Sequence, residues 1–380
     1  MVVNRFDVMV IGGGIAGMGA AAFLSERASV VLLEQEAQLA HHTTGRSAAL
    51  LFENYGHTSI RPLTRVSRPW LENPPDGLVD APLLSERGAL TFGRPDQLST
   101  LERLHAAGRA AGTAVEWLDE TGVRSLWPEI RPGHAEAGVW EPGARDLDVA
   151  AIHQAFVRAM RRQGGGIHRS TPVRELRRAN GMWQAATGAG RFEGEIVVDA
   201  AGAWGDQVAR MAGVAPVGLR PLRRTAFMVP GSVDLERRPM AVDADHDFYV
   251  KPDGTQLLCS PADETPSEPC DARPEEAEVA LAIERINAAT TLGIVTVRSA
   301  WAGLRTFAPD GGMVVGFDDR VDGFCWLVGQ GGTGIQTAPG ASRLVADLVL
   351  DGRVSPELEE AGVDLAALGP ERIRKEKPDG

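Results

Sequence analysis

Val10-Ile11-Gly12-Gly13-Gly14-Ile15-Ala16-Gly17 is the stretch that decides the fold. An apolar run from Phe6 to Ile11 precedes it and reads as a strand, while Met18-Gly19-Ala20-Ala21-Ala22-Phe23-Leu24 follows and reads as a helix. Gly12 suits the tight turn, and Gly14 lets the backbone approach a pyrophosphate. Gly17 lets the helix pack closely on its sheet, and the helix N-terminus draws phosphate through its dipole and free N–H groups. A second apolar run, Val30-Val31-Leu32-Leu33, ends in Glu34. An acidic residue about 20 positions beyond the glycines accepts from a ribose hydroxyl. Strand, glycines, helix, strand and acid together predict a dinucleotide site.

Composition narrows what surrounds that site. A chain of 380 residues is too long for one small core and predicts two lobes. Its 43% hydrophobic and 24% charged residues are ordinary for a soluble globular protein, and a net charge of -12 argues against nucleic acid or an anionic membrane as partner. Cys259, Cys270 and Cys325 have no metal spacing and form no CxxC pair, which suits a reducing compartment. The histidines form no HxxxH or HExxH, and adjacent His41 and His42 do not chelate easily together, so no metal is expected. The nucleotide strand starts near residue 6 and no 18-residue apolar run occurs, so the expected location is cytoplasmic, without a transmembrane segment.

Working outward, residues 41–56 run His-His-Thr-Thr-Gly-Arg-Ser-Ala-Ala-Leu-Leu-Phe-Glu-Asn-Tyr-Gly. Small residues there admit backbone amides to a ring system, or equally form a tight helix start. Residues 61–144 are punctuated by Pro and Gly and read as a cap lobe, with a turn at Glu86-Arg87-Gly88, a strand at Ala89–Phe92 and an amphipathic helix around Leu101 and Leu104. Asp148 reads as the N-cap of a helix reaching Met160. Strands and a hairpin then lead to Ile196-Val197-Val198-Asp199-Ala200-Ala201-Gly202-Ala203-Trp204, a second edge on which a nucleotide can rest. Residues 216–300 return to cap character. Within them 261–274, rich in Pro, Glu and Asp, reads as an exposed loop, and Val279, Ile283 and Ile286 share a helix face. Phe324–Val328 reads as a buried strand, followed by the turn Gly329-Gln330-Gly331-Gly332-Thr333-Gly334-Ile335-Gln336 and a helix over Ala341–Leu350. That helix directs a second positive dipole end at the ligand.

Five of these stretches, taken in order, resemble the D-amino-acid oxidase superfamily of FAD enzymes, most closely its D-arginine dehydrogenase-like branch. They are Thr44-Gly45-Arg46-Ser47-Ala48-Ala49, Asp199-Ala200-Ala201-Gly202-Ala203-Trp204, Phe248-Tyr249-Val250-Lys251-Pro252-Asp253, Trp301-Ala302-Gly303-Leu304-Arg305, and Gln330 to Gln336. The resemblance implies an α/β fold in which a Rossmann-like FAD-binding domain (1–60, 145–215 and 303–380) is interleaved with a β-sheet-rich substrate, or cap, domain (61–144 and 216–302). Gly12, Gly14, Ile15, Ala16, Gly17, Glu34 and Gln35 would then hold FAD from the first glycine turn. Thr44, Gly45, Arg46, Ser47, Ala48, Val173, Ala201, Gly202 and Trp204 would hold it from the middle segments. Gly303, Arg305, Gly331, Gly332, Thr333, Gly334, Ile335 and Gln336 would hold it from the last third. No cysteine lies in Gly303–Asp310, where related sarcosine oxidases carry their covalent flavin link, so FAD is expected to be noncovalent.

The same resemblance assigns substrate roles. Arg305 matches the arginine that grips a substrate carboxylate as a planar fork, and Arg224 matches a second guanidinium, although Arg223-Arg224 also reads as two surface arginines. The chain has two tyrosines. Tyr249 would bond the carboxylate, and Tyr55 lies in a segment resembling a mobile lid. Gly331 and Gly332 would approach the flavin and the substrate amine, and Gln336 follows in the same turn. Toward the side chain, Ala89 replaces the glutamate that reads a guanidinium in D-arginine dehydrogenases, with Glu86 three residues away. Leu50 replaces a lid histidine, and Thr333 completes the set. The expectation is oxidative deamination of uncharged or apolar D-amino acids, with O2 or a quinone-like acceptor. A sarcosine- or glycine-type amine oxidase, a 2-hydroxy-acid dehydrogenase and a flavin-carrying regulatory protein are the alternatives.

Overall fold

A computed structural model describes residues 3–375. The first strand, Val3–Ile11, is flanked in parallel by Val30–Leu33 and Gly190–Asp199. Four consecutive apolar residues in Val30–Leu33 are all buried, as expected of a parallel strand covered on both faces. Beyond Val30–Leu33 lies Gly166–His168. The first half of Gly190–Asp199 pairs with the hairpin Val173–Ala179 and Met182–Thr187, and its last three residues pair in parallel with Phe324–Val328. The helices Ile15–Leu24, Val149–Arg162 and Ala338–Asp351 contribute Met18, Phe156 and Leu344 to the core on one face of this sheet.

A second sheet runs in the order Thr265–Pro266, Arg220–Pro230, Gln256–Ser260, Tyr249–Asp253, Met240–Asp243, Ala89–Gly93, Ala137–Glu141 and Glu116–Asp119. Ser299–Phe307 adds to it by pairing antiparallel with Arg220–Pro230. Its outer face packs on the helix Glu276–Ala289 through Phe227, Val250 and Ile286. The expected domain edge at 302/303 falls inside Ser299–Phe307, which belongs to the second sheet along its length. A small third sheet, Leu50–Leu51, Arg145–Leu147 and Leu84–Glu86, joins segments expected in different domains. The cavity lies where the carboxyl ends of the first sheet meet the second.

Candidate active site

Crowding explains the glycine turn. Gly12 has φ 110°, and a Cβ there would lie 2.5 Å from the Ala200 carbonyl oxygen; one on Gly17 would lie 1.9 Å from that of Gly12. The Gly13 peptide is held on both sides. Its N–H donates to Glu34 Oε2 at 2.6 Å. Its carbonyl accepts from Ala40 N at 3.1 Å and from His153 Nε2 at 3.0 Å. Burial lowers the pKa of His153, and the Gly13 carbonyl, which can only accept, makes Nε2 the donor. Ile15 N donates to Thr44 Oγ1 at 3.0 Å, and Gly14 begins the helix with no side-chain cap. A helix start whose N-cap is a glycine, beneath a turn with no room for a Cβ at Gly12 or Gly17, is a cradle for a pyrophosphate.

The cavity has a volume of about 380 Å³. At one end its walls include Gly12, Gly14, Ile15, Ala16, Glu34 and Gln35. Thr44, Arg46, Ser47, Ala48, Val173, Ala201, Gly202 and Trp204 also line it, as do Gly303, Gly331, Gly334 and Ile335. At the far end stand Arg224, Tyr249, Arg305 and Gly332. Walls not foreseen in the sequence include Gly13, His42, Thr171, Gln207, Met211 and Ala226. Gly13 and His42 were within reach, since they sit inside the glycine motif and the 41–56 stretch. The others come from folding and carry no signal of their own.

Strand periodicity explains the pair of guanidiniums. Leu222 is opposite Arg305 and Arg224 opposite Gly303, so Arg224 and Arg305 sit two register steps apart on one face. Arg305 Nη1 donates to the Tyr55 hydroxyl at 2.8 Å. Burial works against the Arg305 charge, but Tyr55, Tyr249 and Glu264 outweigh it and hold its pKa above the usual value. Arg224 goes the other way, lowered by burial and by Arg305. It donates from Nε to the Asp263 carbonyl at 2.7 Å and pairs through Nη2 with Glu264 at 2.8 Å. Arg223, on the opposite face of the strand, pairs with Glu275 and lies 3.5 Å from Asp263. Burial and the two neighbouring guanidiniums also lower the pKa of His246.

Other expected residues stand off the cavity wall. Tyr55 touches the site through Arg305. Gly45 packs under the Ala40 carbonyl, where a Cβ would lie at 2.5 Å, and Gly17 packs under Gly12. Thr333 is buried, with its hydroxyl donating to the Gln330 carbonyl and its methyl against Gly56. Gln336 is turned away. Its Oε1 accepts from Phe52 N at 2.9 Å, and its Nε2 donates to the Phe52 carbonyl and to Thr64 Oγ1. Leu50 pairs with Asp146 in the small sheet, and Ala89 is buried between Met240 and Glu141. Neither lines the cavity, because the pairing of their strands turns them into sheet packing. Glu86 is exposed on Leu84–Glu86.

The run 261–274 is not simply an exposed loop. Thr265–Pro266 pairs with Arg220–Pro230, Asp263 and Glu264 hold Arg224, and Asp271 pairs with Arg46. Glu264 and Asp271 pair with arginines of the site, and the Asp263 carboxylate accepts from Thr225 N and Oγ1, contacts that composition alone does not reveal. Arg46 also donates to the carbonyls of Ala272 at 2.9 Å and Ala302 at 2.8 Å. Glu36, His41 and His42 bring ligand atoms within 4.8 Å of one another; the His42–Glu36 hydrogen bond of 3.0 Å accounts for that closeness. His42 also packs against the Trp204 ring, with centroids 4.6 Å apart.

A family model for FAD dependent oxidoreductases matches residues 7–348. The chain belongs to that family. This FAD-dependent oxidoreductase is 25% identical to glycine oxidase from Bacillus licheniformis, over 94% of its own length and 96% of that protein's. It is 29% identical to D-amino acid dehydrogenase from Cereibacter sphaeroides, over 74% of its length and 64% of the other's. The crystal structure of glycine oxidase from Geobacillus kaustophilus matches with a TM-score of 0.85 at 23% identity, covering 96% of this chain and 98% of that one, which is a likeness of fold. The cofactor is FAD, and the glycine cradle at the helix start fits the pyrophosphate of such a group. No helix among the described residues is long and apolar enough to cross a membrane.

Proposed function

We propose that the protein oxidises D-amino acids with uncharged or apolar side chains to imines, which hydrolyse to 2-oxo acids and ammonia. The observation that carries this reading is the pair Arg305 and Arg224 on one strand face, with Tyr249 in the same wall and Tyr55 on Arg305. Two planar cations flanked by phenols are a carboxylate clamp, and charge-assisted forks of this kind orient as well as bind. The first glycine turn, Glu34 and the 44–48 segment would hold the nucleotide end of FAD, and Gly331–Gly332 would border its ring. When bound, FAD supplies a two-electron acceptor for the Cα hydrogen leaving as hydride.

The chain's own work is positioning. Arg305, with Arg224 and Tyr249 beside it, fixes the carboxylate, and the backbone at Gly331–Gly332 leaves room for the amine. Gly332 leaves that room, because a Cβ there would lie 2.8 Å from the Tyr55 hydroxyl and 3.1 Å from the Arg305 guanidinium, so both side chains would have to shift. With the carboxylate fixed, the neutral amine can lose its proton as the Cα hydrogen departs, and no strongly basic side chain is required. Beside Tyr249, Ala226 and Ala48 give the cavity wall apolar groups, backed by a buried cluster that includes Met228, Val242 and Leu258. That lining suits an apolar substrate side chain. Glu264, the acid nearest the clamp, is already paired with Arg224. A cationic side chain would lose its hydration there without a free carboxylate to replace it.

The glycine oxidase relatives favour a second reading, a glycine- or sarcosine-type amine oxidase using the same clamp. Comparing kcat/KM for D-methionine, D-arginine, glycine and sarcosine separates the two. A preference for D-methionine supports the first reading, and a preference for glycine or sarcosine replaces it with the second. The free thiols Cys259 and Cys325, both buried, suit a reducing, cytoplasmic setting.

A further inference from the structure

Three residues outside the cavity hold the segment that carries Tyr55. Gln336 brackets Phe52, taking its N–H and donating to its carbonyl. Arg68, on the helix Arg61–Glu72, pairs with Glu53. The third is Glu141, at the end of Ala137–Glu141 in the substrate sheet. Its Oε2 accepts from Asn54 Nδ2 at 2.6 Å, and hydrogen bonds from the Glu53 and Asn54 backbones also reach its carboxyl group. Glu141 is 3% exposed and Asn54 4%.

A carboxyl group buried this deeply needs a reason. Glu141 forms no ion pair among the described residues. The charged side chain acting on it is Glu53, whose charge opposes ionisation and is itself held by Arg68. Ala89 stands opposite Glu141 and Gly108 packs beside Asn54, and no cation is among the groups acting on the Glu141 carboxyl. Burial is the main cause that pushes the Glu141 pKa up to about 7. Asn54 Oδ1, also buried, has no donor. A protonated carboxyl could donate to it, which a carboxylate cannot.

We infer that Glu141 is a positioning residue: through Asn54 and the 53–54 backbone it latches the 52–57 segment onto the substrate sheet and so sets the Tyr55 hydroxyl on Arg305. A single polar side chain would thus couple the substrate sheet to the lid segment and the clamp. The inference rests on the carboxylate-clamp reading only for its kinetic consequence; the latch itself is a matter of geometry.

The test uses FAD-loaded enzyme carrying Glu141→Leu or Glu141→Gln, each alone and combined with Tyr55→Phe. Without substrate, chymotrypsin should cut after Phe52 or Tyr55 about tenfold faster in Glu141→Leu, and near the wild-type rate in Glu141→Gln, which keeps an acceptor for Asn54. With D-methionine, Glu141→Leu should raise KM about fivefold with little change in kcat, and should add almost nothing once Tyr55 is Phe. Glu141→Leu that is cut no faster than wild type overturns the latch. Fully additive effects of Glu141→Leu and Tyr55→Phe overturn the route through Tyr55. Fast cutting in an enzyme whose flavin no amino acid reduces would leave the latch standing and remove the functional reading instead.

Discussion

Arg305 donates to the Tyr55 hydroxyl at 2.8 Å, and a Cβ on Gly332 would lie 3.1 Å from that guanidinium. A strand of the second sheet, the 52–57 segment and a glycine turn therefore meet at this guanidinium. Replacing Arg305 with Met removes hydrogen bonds to a charged group worth about 1.5–3 kcal/mol each, so substrate capture should weaken at least about tenfold. FAD content should be retained. Unchanged flavin reduction at the same substrate concentration would show that Arg305 does not hold the substrate.

His153 offers a test of the nucleotide end. Its Nε2–H is one of two donors to the Gly13 carbonyl, and removing it leaves a buried acceptor short of a partner. His153→Ala should loosen the turn by about 1–3 kcal/mol, visible as a rise of about fivefold or more in the FAD dissociation constant. Equal FAD affinity in the two proteins would mean that the Ala40 amide suffices.

Cys259 and Cys325 are buried, Cys270 is exposed, and none lines the cavity among the described residues. Acid precipitation should therefore release the yellow colour completely into the supernatant as FAD. Colour remaining in the pellet would reveal a covalent link.

The raised pKa of Glu141 gives a pH dependence of stability. Its ordinary value is 4.5 and burial lifts it to about 7 in the folded chain. The folded state thus binds the proton more tightly than the unfolded one. The stabilisation linked to that proton is fully present below about 4.5 and is lost as pH rises to about 7. Between pH 5 and pH 8 the wild-type Tm should fall relative to that of Glu141→Gln. Parallel Tm curves would show that this carboxyl ionises normally.

Much of the framework was legible because local chemistry agrees with the global fold there. The Gly12–Gly17 turn, Asp148 as an N-cap accepting from Ala151 N, and the shared face of Val279, Ile283 and Ile286 all follow from spacing and residue type. The strand Phe324–Val328 follows from its unbroken apolar run. What was not legible depends on pairing across long separations. Ala89 and Leu50 belong to sheets whose register only the folded chain reveals. Gln336 shares a glycine-rich turn with cavity residues yet bonds Phe52, a contact spanning 284 positions. Asp263 and Glu264 read as loop acids because the partners of their carboxylates, Thr225 and Arg224, lie about forty residues earlier.

The central claim is that the clamp receives an amino acid and delivers its Cα hydrogen to FAD. The most direct measurement is anaerobic mixing of the FAD-loaded enzyme with D- and L-amino acids, glycine, sarcosine and lactate, following loss of the oxidised flavin absorbance. The account predicts bleaching by D-methionine, D-leucine and D-phenylalanine, with slow or no bleaching by D-arginine, the L-enantiomers and lactate. Flavin that stays oxidised with every amino acid but is reduced by lactate would contradict it.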